Sequence, residues 1–166
     1  QVILVTNDIE IADATFEKVA EQLEKLERKS TAQKALNNSK VIYFDNDQEL
    51  LDFVNRYGAE HLIVCLDNET EFVNQIKHAG SIFIGNYTPE SAGDYASGTN
   101  HTLPTNGYVR QYSGVNLDSF LKAITYQKIT ADGLIDLGPV IEVMATAEGL
   151  QAHKNAVSIR LKTLKS

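Results

Sequence analysis

The stretch Val41-Ile-Tyr-Phe-Asp-Asn-Asp-Gln-Glu-Leu-Leu-Asp-Phe-Val-Asn-Arg-Tyr-Gly-Ala-Glu-His-Leu-Ile-Val-Cys-Leu66 decides the fold. Val41–Phe44 is short, apolar and β-branched, the signature of a strand covered on both faces. Asn46 followed by Glu49 has the form of a capping box. Leu50, Leu51, Val54 and Tyr57 then recur at helical spacing. Gly58 supplies the stop, and Leu62–Leu66 is a second buried run. Strand, helix and strand in succession predict a crossover and a parallel sheet.

The same alternation extends outward. Upstream, Gln1-Val-Ile-Leu-Val-Thr6 reads as a buried strand, and Ala12, Phe16, Val19, Leu23 and Leu26 form one helical stripe. Glu21–Lys25 and Glu24–Arg28 fall at i,i+4 on its wet face. A short helix is expected over Thr31–Leu36, closed by Asn37-Asn38-Ser39. Downstream, Asn68 reads as a cap, Phe72, Val73, Ile76 and Ala79 as a buried stripe, and Ser81–Ile84 as a fourth strand. Lys77 and His78 fit a helix C-terminus and receive no chemistry. A chain that opens inside a strand is expected to be the C-terminal part of a longer polypeptide; a trimmed terminus is the plainer alternative.

Residues 85–116 break the pattern with five glycines, Pro89, Pro104 and many polar side chains. A loop this long inside a domain is usually functional or disordered, and Tyr87, Tyr95, Tyr108 and Tyr112 argue for order. From Leu117 an element is expected through Phe120, Leu121 and Ile124. Helical spacing follows at Leu134, Leu137, Ile141, Met144 and Ala145. A last helix is expected from His153 to Leu164, with Ala156, Ile159 and Thr163 facing inward.

Composition narrows the function. The 166 residues are 43% hydrophobic and 22% charged, which excludes a disordered chain and provides for one sizeable core. Fifteen basic against twenty-two acidic side chains give a net charge of −7. That disfavours nucleic acid and anionic membranes as partners, because each rewards clustered Lys and Arg. No apolar run approaches the roughly 20 residues of a membrane span. The lone Cys65 predicts no internal disulfide and a reducing, cytoplasmic compartment. Asn-x-Ser/Thr triplets at Asn37, Asn68, Asn86 and Asn100 are read as coincidental.

Three places could carry chemistry. Glu60-His61 pairs a carboxylate with an imidazole that titrates near neutrality, suited to proton transfer. The plainer reading is a surface dipeptide ahead of its strand, where the rule placing ligands beyond the carboxyl ends of strands does not predict a site. Gly93-Asp94-Tyr95-Ala96-Ser97-Gly98-Thr99-Asn100-His101 holds two metal-competent side chains, Asp94 and His101. Its glycines fit neither the P-loop nor the dinucleotide fingerprint. Glu148 lies seven residues after Ile141, so it projects from an apolar stripe and needs a partner or a metal; His153 follows it closely. A helix-end cap is the bland alternative for Glu148.

Tyr57-Gly-Ala-Glu-His-Leu-Ile63, the block from Gly85-Asn-Tyr-Thr-Pro-Glu-Ser-Ala-Gly-Asp94 through Thr105, and Ala147-Glu-Gly-Leu-Gln-Ala-His-Lys-Asn-Ala-Val157 resemble histidinol dehydrogenase. The resemblance covers essentially the whole chain. Gly107–Asn116 looks like the fungal branch, in which this enzyme ends a multifunctional histidine-biosynthesis polypeptide. The resemblance implies a zinc-dependent oxidation of L-histidinol to L-histidine in two NAD⁺-dependent steps, through an enzyme-held aldehyde. Glu60 and His61 correspond to the family's acid–base pair. His61, Asp94, Glu148 and His153 correspond to substrate-binding positions, and Asp94 and His153 also to zinc ligands. His101 carries no established role. The family's remaining Gln and His ligands and its nucleotide-binding region are expected before Gln1.

The implied fold is α/β: an incomplete Rossmann-like parallel sheet with flanking helices and a C-terminal helical tail. Residues 1–110 would carry the Glu-His pair and the glycine-rich loop, and residues 111–166 a mainly helical tail for dimerisation. The family is a homodimer in which that tail reaches the neighbouring subunit's site. Taken alone, this segment is expected to be inactive. The alternatives are a stand-alone α/β binding or regulatory module without catalysis, or a different metal hydrolase built on Asp94, His101 and His153. The absence of any HExxH spacing weighs against the hydrolase.

Overall fold

Four short runs become strands, but Lys40, Val41 and Tyr43 are exposed, so the run predicted at Val41–Phe44 is not covered on both faces. The computed structural model describes residues 1–164 and divides the chain into two compact units, Gln1–Leu121 and the remainder from Lys122 on. The first unit runs β1 (Ile3–Thr6), α1 (Ile9–Leu23), α2 (Lys29–Leu36), β2 (Lys40–Tyr43), α3 (Asp47–Tyr57) and β3 (Ala59–Val64). It continues through α4 (Glu69–Val73), β4 (Ala79–Ile84) and α5 (Glu90–Tyr95), then two short 3₁₀ turns at Tyr108–Arg110 and Leu117–Phe120. The second unit holds α6 (Ala131–Ala147) and α7 (Gln151–Leu164). No described helix is long and apolar enough to cross a membrane.

The predicted parallel pairing is present as two ribbons. β1 pairs β2 from Ile3↔Lys40 to Thr6↔Tyr43, and β3 pairs β4 from Ala59↔Ala79 to Val64↔Ile84. One core serves both. Leu50, Leu51 and Val54 of α3 cluster with Val64 and Phe72, and Val5, Phe44, Leu62 and Ile82 pack around them. Burying each of these larger side chains is worth roughly 1.5–3 kcal/mol. At the ends of α3, the Asn46 side chain accepts the Glu49 N–H and Gly58 closes in the left-handed region at φ 65°.

Several local expectations are corrected. On α1 only Ala12 and Leu23 are buried, whereas Phe16 is 62% exposed and Val19 and Leu26 are also exposed. An apolar stripe states which way side chains face, not what covers them. Glu24 pairs with Lys29 at 2.6 Å, not with Arg28, while Glu21 pairs with both Lys25 and Lys18. Asn68 makes no side-chain cap bond. α4 stops at Val73, so Lys77 and His78 lie outside any helix. The cause is Asn55, which donates to the Gln75 carbonyl at 3.1 Å and accepts the Lys77 N–H at 2.6 Å, drawing the chain away from helical pairing. The four loop tyrosines are exposed. The loop is anchored instead by the buried Val109 and by the Arg110 guanidinium, which donates to the Arg56 carbonyl.

In the second unit, the Thr130 hydroxyl caps α6 by accepting the Gly133 N–H. α6 and α7 form a helical hairpin in which Leu161 packs onto Gly138 and the Ser158 hydroxyl donates to the Glu142 carboxylate. The inner side of α7 is Lys154, Val157, Ser158 and Leu161, a helical i, i+3, i+4, i+7 set, not Ala156, Ile159 and Thr163, which are exposed. On α6, Leu134, Ile141 and Ala145 lie toward the inside as predicted, while Leu137 and Met144 are exposed.

Candidate active site

The site is built on the second ribbon. Side chains alternate along a strand, so Leu62 and Val64 enter the core while His61 points to the other face. Register sets His61 opposite Ser81, and Phe83 lies two residues further on the same face. The His61 ring stacks on Phe83 with centroids 6.0 Å apart and planes 23° apart. α5 lies over Phe83 because Gly93 has no side chain there; a Cβ at that position would come 2.6 Å from the ring. Glu90 and Asp94, one helical turn apart, therefore project from the same side of α5.

Side-chain donor atoms of His61, Glu90 and Asp94 lie within 4.8 Å of one another, all three residues half-buried. The Glu90 carboxylate approaches His61 Nε2 at 3.5 Å, and the Glu60 carboxylate approaches Nδ1 at 3.9 Å. His61 is 29% exposed and each glutamate 40%, so water still reaches the site. Two kinds of chemistry fit this arrangement: an imidazole between carboxylates can relay protons, and a mixed nitrogen and oxygen set can hold a divalent ion. An open groove of about 720 Å³ beside the start of β4, lined by Ser81, Thr99, Asn100, Leu103 and Ser113, gives room for a small ligand.

Glu60 and His61 lie inside β3, which begins at Ala59, and not ahead of it. The site thus occupies a sheet face at the amino end of β3, not the carboxyl ends of the strands. Asp94 joins the cluster, whereas His101 is exposed and stands outside it. Glu148 and His153 belong to the second unit and are both exposed. Glu148 caps α6, its N–H bonded to the Met144 carbonyl, so the apolar stripe ends before reaching it. Sequence reading missed Glu90. Its signal was available: Pro89 opens a short helix, and Glu90 and Asp94 stand at i,i+4 within it.

Fold and site together define a class: an α/β chain whose sheet face carries an imidazole ringed by carboxylates. The family model for histidinol dehydrogenase matches residues 1–161, and the chain belongs to that family. It is 52% identical to the histidinol dehydrogenase of Bacteroides thetaiotaomicron over 165 residues, 99% of this chain and 39% of the relative. It is 51% identical to the Pseudoalteromonas translucida enzyme over 166 residues, 38% of that relative. The crystal structure of histidinol dehydrogenase from Elizabethkingia anophelis superposes with a TM-score of 0.95 at 55% identity, covering 100% of this chain and 38% of that one. The chain spans under two-fifths of the length of the curated relatives it matches.

Proposed function

We propose that the complete polypeptide carrying this segment oxidises L-histidinol to L-histidine in two NAD⁺-dependent steps, through an aldehyde held on the enzyme. The segment supplies the acid–base pair and part of a zinc site. The observation that carries this reading, together with family membership, is the gathering of Glu60, His61 and Asp94.

In this reading His61 takes the proton from the substrate alcohol, and Glu60 activates the water that adds to the aldehyde. A neutral imidazole accepts protons without large tuning, and the groove lined by Ser81, the strand partner of His61, offers room for a substrate. Zinc fits the donors: the half-buried Asp94 carboxylate shares its surroundings with an imidazole and a second carboxylate, the ligand types the ion accepts. Asp94 would hold it together with His153 of the partner subunit. The two cofactors add what these side chains lack, zinc polarising substrate heteroatoms and NAD⁺ accepting hydride. The nucleotide contacts are assigned to the rest of the enzyme, since the loop glycines here lack the dinucleotide spacing. Glu148 and His153 are assigned to the substrate amine and the zinc of the neighbouring subunit in a homodimer, and cytoplasmic location follows from a biosynthetic role.

The test is NADH formation by the complete polypeptide with zinc, NAD⁺ and histidinol. Turnover is expected there and none from the 166-residue segment alone. His61→Asn in the complete enzyme should lower histidine formation by orders of magnitude while circular dichroism stays unchanged. Histidinol binding without NADH formation would favour a non-catalytic binding module.

A further inference from the structure

We propose that Glu90 is a positioning residue for His61, holding the Nε2 edge of the ring and fixing its orientation and tautomer. The inference rests on the reading of His61 as the base. A neutral imidazole is asymmetric, one nitrogen carrying a proton and the other a lone pair, while a carboxylate only accepts. Two carboxylates compete for the single N–H of His61. Glu90 is the nearer, at 3.5 Å from Nε2 against 3.9 Å for Glu60 at Nδ1. On this proposal the shorter approach favours the Nε2–H tautomer, with the lone pair on Nδ1, the nitrogen beside Glu60. The same division of labour orients imidazoles in other sites, where the partner of the second nitrogen decides which one is reactive.

Glu90 is also placed by the fold and not by chance on a mobile surface. Pro89 opens α5, Gly93 lets that helix rest on Phe83, and Phe83 in turn carries the flat face of His61. Phe83 restrains the ring from its face and Glu90 from its edge, so one helix–sheet contact sets both. Asp94 stands one turn further along α5.

The experiment compares Glu90→Ala, Glu90→Gln, His61→Asn and the Glu90→Ala/His61→Asn double variant in the complete zinc-loaded enzyme. Glu90→Ala is expected to lower kcat for histidinol roughly 10- to 100-fold with KM and bound zinc unchanged. Glu90→Gln should recover part of that loss, because its carbonyl oxygen accepts the same N–H. In the His61→Asn background, Glu90→Ala should cause no additional loss. Imidazole ¹⁵N shifts of His61 should show protonated Nε2 in the parent and a tautomer mixture in Glu90→Ala, which tests the inference without turnover. Loss of zinc, a rise in KM at constant kcat, an additive double variant, or an unchanged tautomer would each overturn it. Failure of the unsubstituted enzyme to oxidise histidinol would overturn the functional reading instead, leaving the ¹⁵N result to stand by itself.

Discussion

A Cβ placed on Gly93 would lie 2.6 Å from Cε1 of Phe83 and 3.0 Å from its Cζ. These are closer than carbon atoms approach without displacement, and Phe83 is buried, so it has little room to move. Gly93 therefore sets the separation between α5 and β4. Gly93→Ala should destabilise the chain by about 1–3 kcal/mol, the usual result of overpacking. Urea denaturation measures it, and Phe83→Leu should relieve part of the strain. A Gly93→Ala chain as stable as the parent would show that α5 is not seated on Phe83.

Asn55 ties α3 to the approach of β4 through its bonds to the Gln75 carbonyl and the Lys77 N–H. Asn55→Ala should cost about 1 kcal/mol and speed amide exchange at Lys77. Asn55→Asp keeps the acceptor for Lys77 while losing the donor for Gln75, so exchange at Lys77 should stay slow. Equal exchange in all three chains would contradict this role.

Gly138 and Leu161 should behave as a coupled pair. A methyl at Gly138 would meet Leu161 Cδ1 at 2.7 Å. Alanine in a helix interior normally gains roughly 0.8–1 kcal/mol over glycine. Gly138→Ala should lose that gain to crowding in the parent, yet stabilise the chain when made in the Leu161→Ala background. The same sign in both backgrounds would mean that the α6–α7 hairpin is packed differently.

Glu21 tests the surface electrostatics. Lys25, and then Lys18, hold its carboxyl below the ordinary value of 4.5. A lowered folded pKa gives stability above the unfolded value that fades as pH falls through the folded one. Because Glu21 lies on the exposed face of α1, screening should make that contribution unmeasurable. Glu21→Gln is expected to leave the thermal midpoint unchanged at pH 7 and at pH 4. By carboxyl NMR titration, Lys25→Ala should raise the Glu21 midpoint more than Lys18→Ala.

The α/β alternation was legible because it rests on local signals: β-branched runs, the Asn46 cap and the Gly58 stop. What escaped was tertiary. Asn55 ends α4 early through bonds spanning twenty and more residues, which no periodicity encodes. Glu60 and His61 were located, but their strand starts earlier than its apolar run because Ala59 pairs with Ala79. Asp94 could be named as a ligand type, whereas its neighbour Glu90 reaches His61 only because Gly93 seats α5 on Phe83. The exposure of Phe16 could not be read at all, since a helix shows its oily side in sequence whether or not anything lies against it.

The two ribbons share a core but, among the described residues, no main-chain ladder joins them. Tearing an ordinary sheet breaks a row of directional bonds; separating these halves only wets greasy side chains. Cold and high pressure, which erode hydrophobic cohesion while sparing hydrogen bonds, should therefore open this seam before either ribbon unravels.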